Sequence, residues 1–146
     1  MLFRSAMSVE LALSGAARFT IVNRTQQRGE ELVELLKSRV NANADFVEWT
    51  GDYSVPEGTD VVINATSIGL SGEEPPFPES CVGPNSFCYD LAYSLKDTPF
   101  VVWARRLDAM EAVQGWGMLV EQAAESFEIW RGVRPDTAPI LQHMKR

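Results

Sequence analysis

The chain has 146 residues, 45% of them apolar and 10% aromatic, enough for one globular domain with a core that needs no disulfide or metal staples. Thirteen Lys and Arg against 20 Asp and Glu give a formal net charge of −7 without any basic run, which removes the electrostatic basis for binding nucleic acid or an anionic membrane. Cys81 and Cys88 lack zinc-site spacing and a nearby His, so they are expected as buried thiols. No apolar stretch reaches the roughly 20 residues of a membrane span. Met1-Leu2-Phe3-Arg4 also lacks the pattern of a signal peptide, so the expected location is cytoplasmic.

In chain order, Met7, Leu11 and Ala12 recur at helical spacing before Gly15, which predicts a helix over Ser5 to Ser14. Arg18 to Val22 is β-branched and aromatic and reads as a buried parallel-type strand. Thr25 can then cap a helix whose apolar positions Leu32, Leu35 and Leu36 run through Glu30 to Ser38, followed by a strand over Asp45 to Trp49. Another strand covers Asp60 to Asn64. Ser71 to Pro78, with its prolines, reads as a surface loop.

Phe87 to Asp90 is the next strand, Thr98 to Arg106 a helix and Ala112 to Gln114 a short last strand. The longest helix covers Gly117 to Trp130, with Met118, Leu119, Gln122, Ala123, Ser126, Phe127 and Trp130 on one mostly apolar face expected to pack inward. Asp136 opens a terminal helix ending at Met144. Alternating strands and helices predict an α/β fold, a parallel sheet with helices on both faces.

Open parallel sheets bind ligands outside the carboxyl ends of their strands, and those ends are polar here. The first, Asn23-Arg24-Thr25-Gln26-Gln27-Arg28, puts two guanidiniums and a hydroxyl at a helix start, with Arg rather than an acid where a ribose 2′-phosphate would sit. The alternative is an exposed Arg pair. The second, Asn64-Ala65-Thr66-Ser67, leaves room for a ring or ribose, although such residues commonly satisfy their own backbone in Asx or hydroxyl turns.

The third end, Tyr89-Asp90-Leu91-Ala92-Tyr93, sets an acid near two phenols, and Asp90 reads as a buried structural acceptor. The fourth, Gly115-Trp116-Gly117-Met118, opens a helix in which Gln122 offers an amide toward a polyol. His143 reads as an exposed near-terminal residue, and neither a Ser-His-Asp set nor a metal-ligand set can be assembled.

Taken in order, these four segments, together with Gln122-Ala123-Ala124 and Trp130, resemble the C-terminal NADP-binding domain of the shikimate dehydrogenase family over nearly the whole chain. The resemblance implies a Rossmann-like fold and NADP as cofactor. It implies that Arg24 and Arg28 clamp the adenosine 2′-phosphate, that Asn23 and Thr25 shape that pocket, and that Asn64, Ala65, Thr66 and Ser67 line the cofactor groove. Leu91, standing where the family often has Met, would approach the nicotinamide with Gly115 and Met118. Tyr93 and Gln122 would reach the substrate, shikimate or a relative such as quinate. The reaction implied is reversible hydride transfer between NADPH and the ketone of 3-dehydroshikimate.

Residues 1–146 would then form a single NADP-binding domain, incomplete at its N-terminus. The family's substrate domain with its Lys and Asp pair, its first strand and its glycine-rich loop have no counterpart in this sequence. No catalytic residue is therefore assigned, since Lys37, Lys96 and Lys145 lie in surface-like contexts, and no turnover is expected from the chain alone. A missing central strand leaves sheet edges that another segment, another copy as a homodimer, or a rearranged sheet must cover. The expectation is that the chain is part of a longer protein. The alternative from another class is a noncatalytic Rossmann-like binding or assembly module.

Overall fold

The computed structural model describes residues 2–50, 55–57, 59–67 and 75–144, with side chains from Ala6 onward. Two compact units divide the chain, residues 1–57 and 58–146. The first contains α1 (Leu2–Leu13), β1 (Arg18–Asn23), α2 (Gln26–Val40) and β2 (Asn43–Glu48). β1 and β2 pair in parallel, Arg18 opposite Asn43 and Asn23 opposite Glu48. A parallel pair needs a crossover, which α2 supplies. It lays Val33 and Leu36 on Ala44, with Val9, Phe19, Ile21 and Phe46 around them.

α2 starts four residues earlier than the apolar pattern indicates. Two polar pairs one turn apart, Gln26 with Glu30 at 2.8 Å and Gln27 with Glu31 at 3.0 Å, extend it on the solvent side, where hydrophobic spacing carries no signal. Thr25 does occupy the N-cap, but its hydroxyl makes no capping bond. The Asn23 carboxamide closes the turn instead, Oδ1 accepting from the Thr25 N–H at 3.1 Å. A Cβ on Gly29 would lie 2.1 Å from the Phe46 ring, so any larger residue there requires that ring to move.

The second unit contains β3 (Val61–Asn64), a 3-10 turn (Glu79–Cys81), β4 (Phe87–Asp90), α3 (Pro99–Arg106), β5 (Glu111–Gln114), α4 (Trp116–Arg131) and α5 (Ala138–Met144). Its three strands are parallel in the order β3-β4-β5. The register aligns their ends, Asn64 opposite Asp90 and Asp90 opposite Gln114. The expected parallel α/β arrangement is thus present as two hydrogen-bonded sheets, β1 pairing only with β2 and β3 only with β4 among the described residues.

Thr98 caps α3, its Oγ1 accepting from Val101 N at 3.4 Å, and Pro99 follows where a missing N–H costs nothing. The helix buries Phe100, Val101, Trp103 and Ala104. Of the loop expected over residues 71–78, residues 71–74 lie outside the described part. The remainder is not a solvent-facing loop: Pro75 is buried, and Phe77 packs edge-on against Phe100 at 6.0 Å and Trp103 at 5.9 Å. An aromatic cluster outcompetes exposure here, which the prolines alone did not signal.

The expected inward face of α4 is a second correction. Ala124 is its one buried residue among those described, whereas Phe127 is 45% and Trp130 79% exposed. Periodicity identifies a stripe but not what covers it. Cys81 and Cys88 are free and buried as expected, and burial pushes both thiols up to about 11. Among the described residues no helix is long and apolar enough to cross a membrane, and no His, Cys, Asp and Glu cluster could hold a metal ion.

Candidate functional site

At the end of β1 the chain turns at Asn23 and enters α2, leaving Arg24, Thr25 and Arg28 exposed. The Thr25 carbonyl accepts from the N–H groups of Arg28 at 3.1 Å and Gly29 at 3.2 Å, so the backbone closes the first turn and leaves the hydroxyl uncommitted. The Arg24 guanidinium carbon lies 5.6 Å from the centroid of the Trp49 ring. Neither Arg24 nor Arg28 is paired with a carboxylate among the described residues, although Arg18 on the same strand pairs with Asp45 at 3.0 Å. The four residues expected at this strand end thus lie within one exposed β-to-α turn, with neither guanidinium in an ion pair among the described residues.

In the second unit Asn64 and Asp90 are turned inward, 2% and 0% exposed. Asn64 Nδ2 donates to Asp90 Oδ1 at 3.0 Å, while Asn64 Oδ1 accepts from Thr66 N at 3.0 Å and Thr66 Oγ1 at 2.8 Å. The carboxamide oxygen is thereby taken up within the chain in an Asx turn, and one of the two amide hydrogens is committed to Asp90. The Asn64 carbonyl also accepts from Leu91 N at 2.9 Å, tying the β3 end to the segment after β4. Ala65 and Thr66 are half-buried and Ser67 is exposed.

Asp90 has the structural role expected of it. Its oxygens accept from Asn64, from Ala92 N at 3.1 Å and from Thr98 Oγ1 at 2.6 Å. Burial raises its pKa, and the hydrogen bonds from Thr98, Ala92 and Asn64 oppose that rise. Thr98 was not singled out from the sequence; its position before Pro99 signals a cap, but its bond to Asp90 depends on the path of the intervening loop.

The β5 end approaches β4 closely. A Cβ on Gly115 would lie 2.6 Å from the Leu91 carbonyl oxygen, so only glycine fits. Met118 is half-buried, and burial raises the pKa of the neighbouring Tyr89 phenol, a rise that the Met118 backbone only partly opposes. Tyr93 packs on Trp116 with ring centroids 4.7 Å apart, and Trp116 Nε1 donates to Ser94 O at 3.3 Å. Gln114, also unremarked in the sequence, holds the same loop by accepting from Ser94 N at 2.8 Å and donating to Lys96 O at 3.2 Å. Gln122 lies exposed on α4, beyond this cluster of contacts, and His143 is exposed.

Parallel strands with polar carboxyl ends, a two-Arg turn after one strand and a glycine-enforced approach between two others define a Rossmann-like α/β domain. The family model for the Shikimate 5'-dehydrogenase C-terminal domain matches residues 115–145. A shikimate dehydrogenase (NADP(+)) of Alkalilimnicola ehrlichii is 50% identical over 126 residues, covering 86% of this chain and 44% of that protein. One from Hahella chejuensis is 41% identical over 133 residues, covering 90% of this chain and 47% of that protein. Among solved structures, the ligand-free 5-ketofructose reductase of Gluconobacter sp. strain CHM43 is 37% identical with a TM-score of 0.82, covering 97% of this chain and 51% of that one. The chain belongs to the shikimate dehydrogenase family and spans about half the length of the curated relatives it matches.

Proposed function

We propose that the chain is the NADP-binding half of a shikimate dehydrogenase-like oxidoreductase, without turnover on its own. Arg24 and Arg28 bind the adenosine 2′-phosphate, and Asn23 and Thr25 shape the same pocket. Leu91, Gly115 and Met118 serve the nicotinamide end, with Ala65, Thr66 and Ser67 lining the cofactor and Asn64 anchoring their turn. Tyr93 and Gln122 reach toward a hydroxylated cyclic ketone such as 3-dehydroshikimate or the quinate analogue. When bound, the cofactor supplies hydride; the chain supplies orientation and charge.

The observation that supports this reading best is the pair of guanidiniums at the β1 end with no carboxylate against them among the described residues. An acid at this place would accept from an unphosphorylated ribose, whereas uncompensated guanidiniums favour a phosphate dianion. The free Thr25 hydroxyl adds a neutral donor at the same turn.

Calorimetry of the chain with adenosine 2′,5′-bisphosphate, which carries the phosphates without the nicotinamide, tests the reading. Saturable binding is expected. A folded sample that binds neither this compound nor NADPH would overturn the proposal in favour of an assembly module.

A further inference from the structure

We infer that Trp49 is a positioning residue for 2′-phosphate recognition, holding the Arg24 guanidinium by its ring face while leaving the donor edge of that group free; this rests on the function proposed above. Trp49 follows β2 directly. Its backbone N–H donates to the Asn23 carbonyl at 3.0 Å, carrying the β1–β2 pairing one bond past the last ladder pair, Asn23 with Glu48. That bond holds the Trp49 backbone beside the turn in which Arg24 sits. The Arg24 guanidinium carbon is 5.6 Å from the ring centroid, within the range of cation–π attraction.

The kind of partner matters. A carboxylate holds a guanidinium through its in-plane N–H groups and neutralises its charge, as Asp45 does for Arg18. A ring face attracts the same cation without consuming a donor and without adding negative charge. Arg24 is thus restrained while its N–H fork and full charge remain for an anion. An exposed Arg without such support must lose its rotamer freedom when a ligand arrives, and that loss weakens binding. The indole reduces this cost beforehand, so Trp49 contributes to the choice of the phosphorylated cofactor without touching the phosphate.

The test compares the chain with Trp49→Leu, Trp49→Phe and Arg24→Ala, titrating each with adenosine 2′,5′-bisphosphate and with adenosine 5′-monophosphate. Trp49→Leu is expected to weaken the bisphosphate about threefold to fivefold, the size of an exposed cation–π contact, and to leave the monophosphate unchanged. Trp49→Phe keeps a ring face and should lose less than Trp49→Leu.

Equal weakening of both ligands by Trp49→Leu would mean that the ring contacts the base or only supports the fold, and would overturn the inference. So would a bisphosphate affinity that Trp49→Leu leaves intact, or a Trp49→Phe variant as weak as Trp49→Leu. Arg24→Ala separates the two levels. If it weakens the bisphosphate while Trp49→Leu does not, only the role of Trp49 falls. If Arg24→Ala has no effect, the phosphate assignment falls and this inference with it.

Discussion

Asp90 and Arg24 are charged residues at strand ends with opposite treatment. Asp90 is fully buried and held by donors from three segments, Asn64, Ala92 and Thr98, whereas Arg24 is exposed and restrained only by a ring. The first arrangement makes a rigid frame and the second a charge ready for a ligand. The Asp90 role is legible in the sequence because an acid closing a short apolar strand has little but the backbone and its neighbours to bind. Thr98 and Trp49 are not, since one reaches Asp90 across a loop and the other meets Arg24 only through the parallel register of β1 and β2. Gly115 makes a residue-scale prediction. Because its missing Cβ would lie 2.6 Å from the Leu91 carbonyl oxygen, a backbone atom that cannot swing aside, Gly115→Ala should cost about 1–3 kcal/mol in urea unfolding. An unchanged midpoint would contradict the close approach.

Elements follow the sequence where both ladder and hydrophobic signals agree, as in β4, whose bounds match the expected strand, and fail where the outcome depends on a partner surface. The outward face of α4 is such a case. On that helix, Glu121, Glu125 and Glu128 converge on Arg134 at 2.6 to 3.1 Å, and Glu121 also accepts from Thr137 Oγ1 at 2.7 Å, just before α5. The bond from Thr137, then Arg134, holds the Glu121 carboxyl below its ordinary range. A lowered acid pKa contributes stability above the ordinary carboxylate value, and that contribution is lost as pH falls through the lowered one. The attachment of α5 should therefore loosen on acidification. Amide exchange at Leu141, whose N–H bonds Thr137 O at 3.0 Å, should accelerate relative to α3 amides as pH drops below the ordinary carboxylate range, after correction for intrinsic rates. Relative protection that stays constant would contradict the coupling.

For the whole molecule, the α/β class with parallel strands was readable from alternating apolar strands and helical periods. The division into two sheets follows from pairing, which local sequence does not encode. Membership of the shikimate dehydrogenase family was readable because four strand-end segments recur in order, each weak by itself. The central claim is that guanidiniums after β1 select a phosphorylated nicotinamide cofactor. It is tested most directly by calorimetric dissociation constants of NADPH and NADH for the chain and for Arg24→Ala at one fixed salt concentration. The account predicts a loss of roughly tenfold or more for NADPH, the scale of a charged hydrogen-bonded contact, with NADH nearly unchanged. Equal losses for the two cofactors, or none for NADPH, would contradict it.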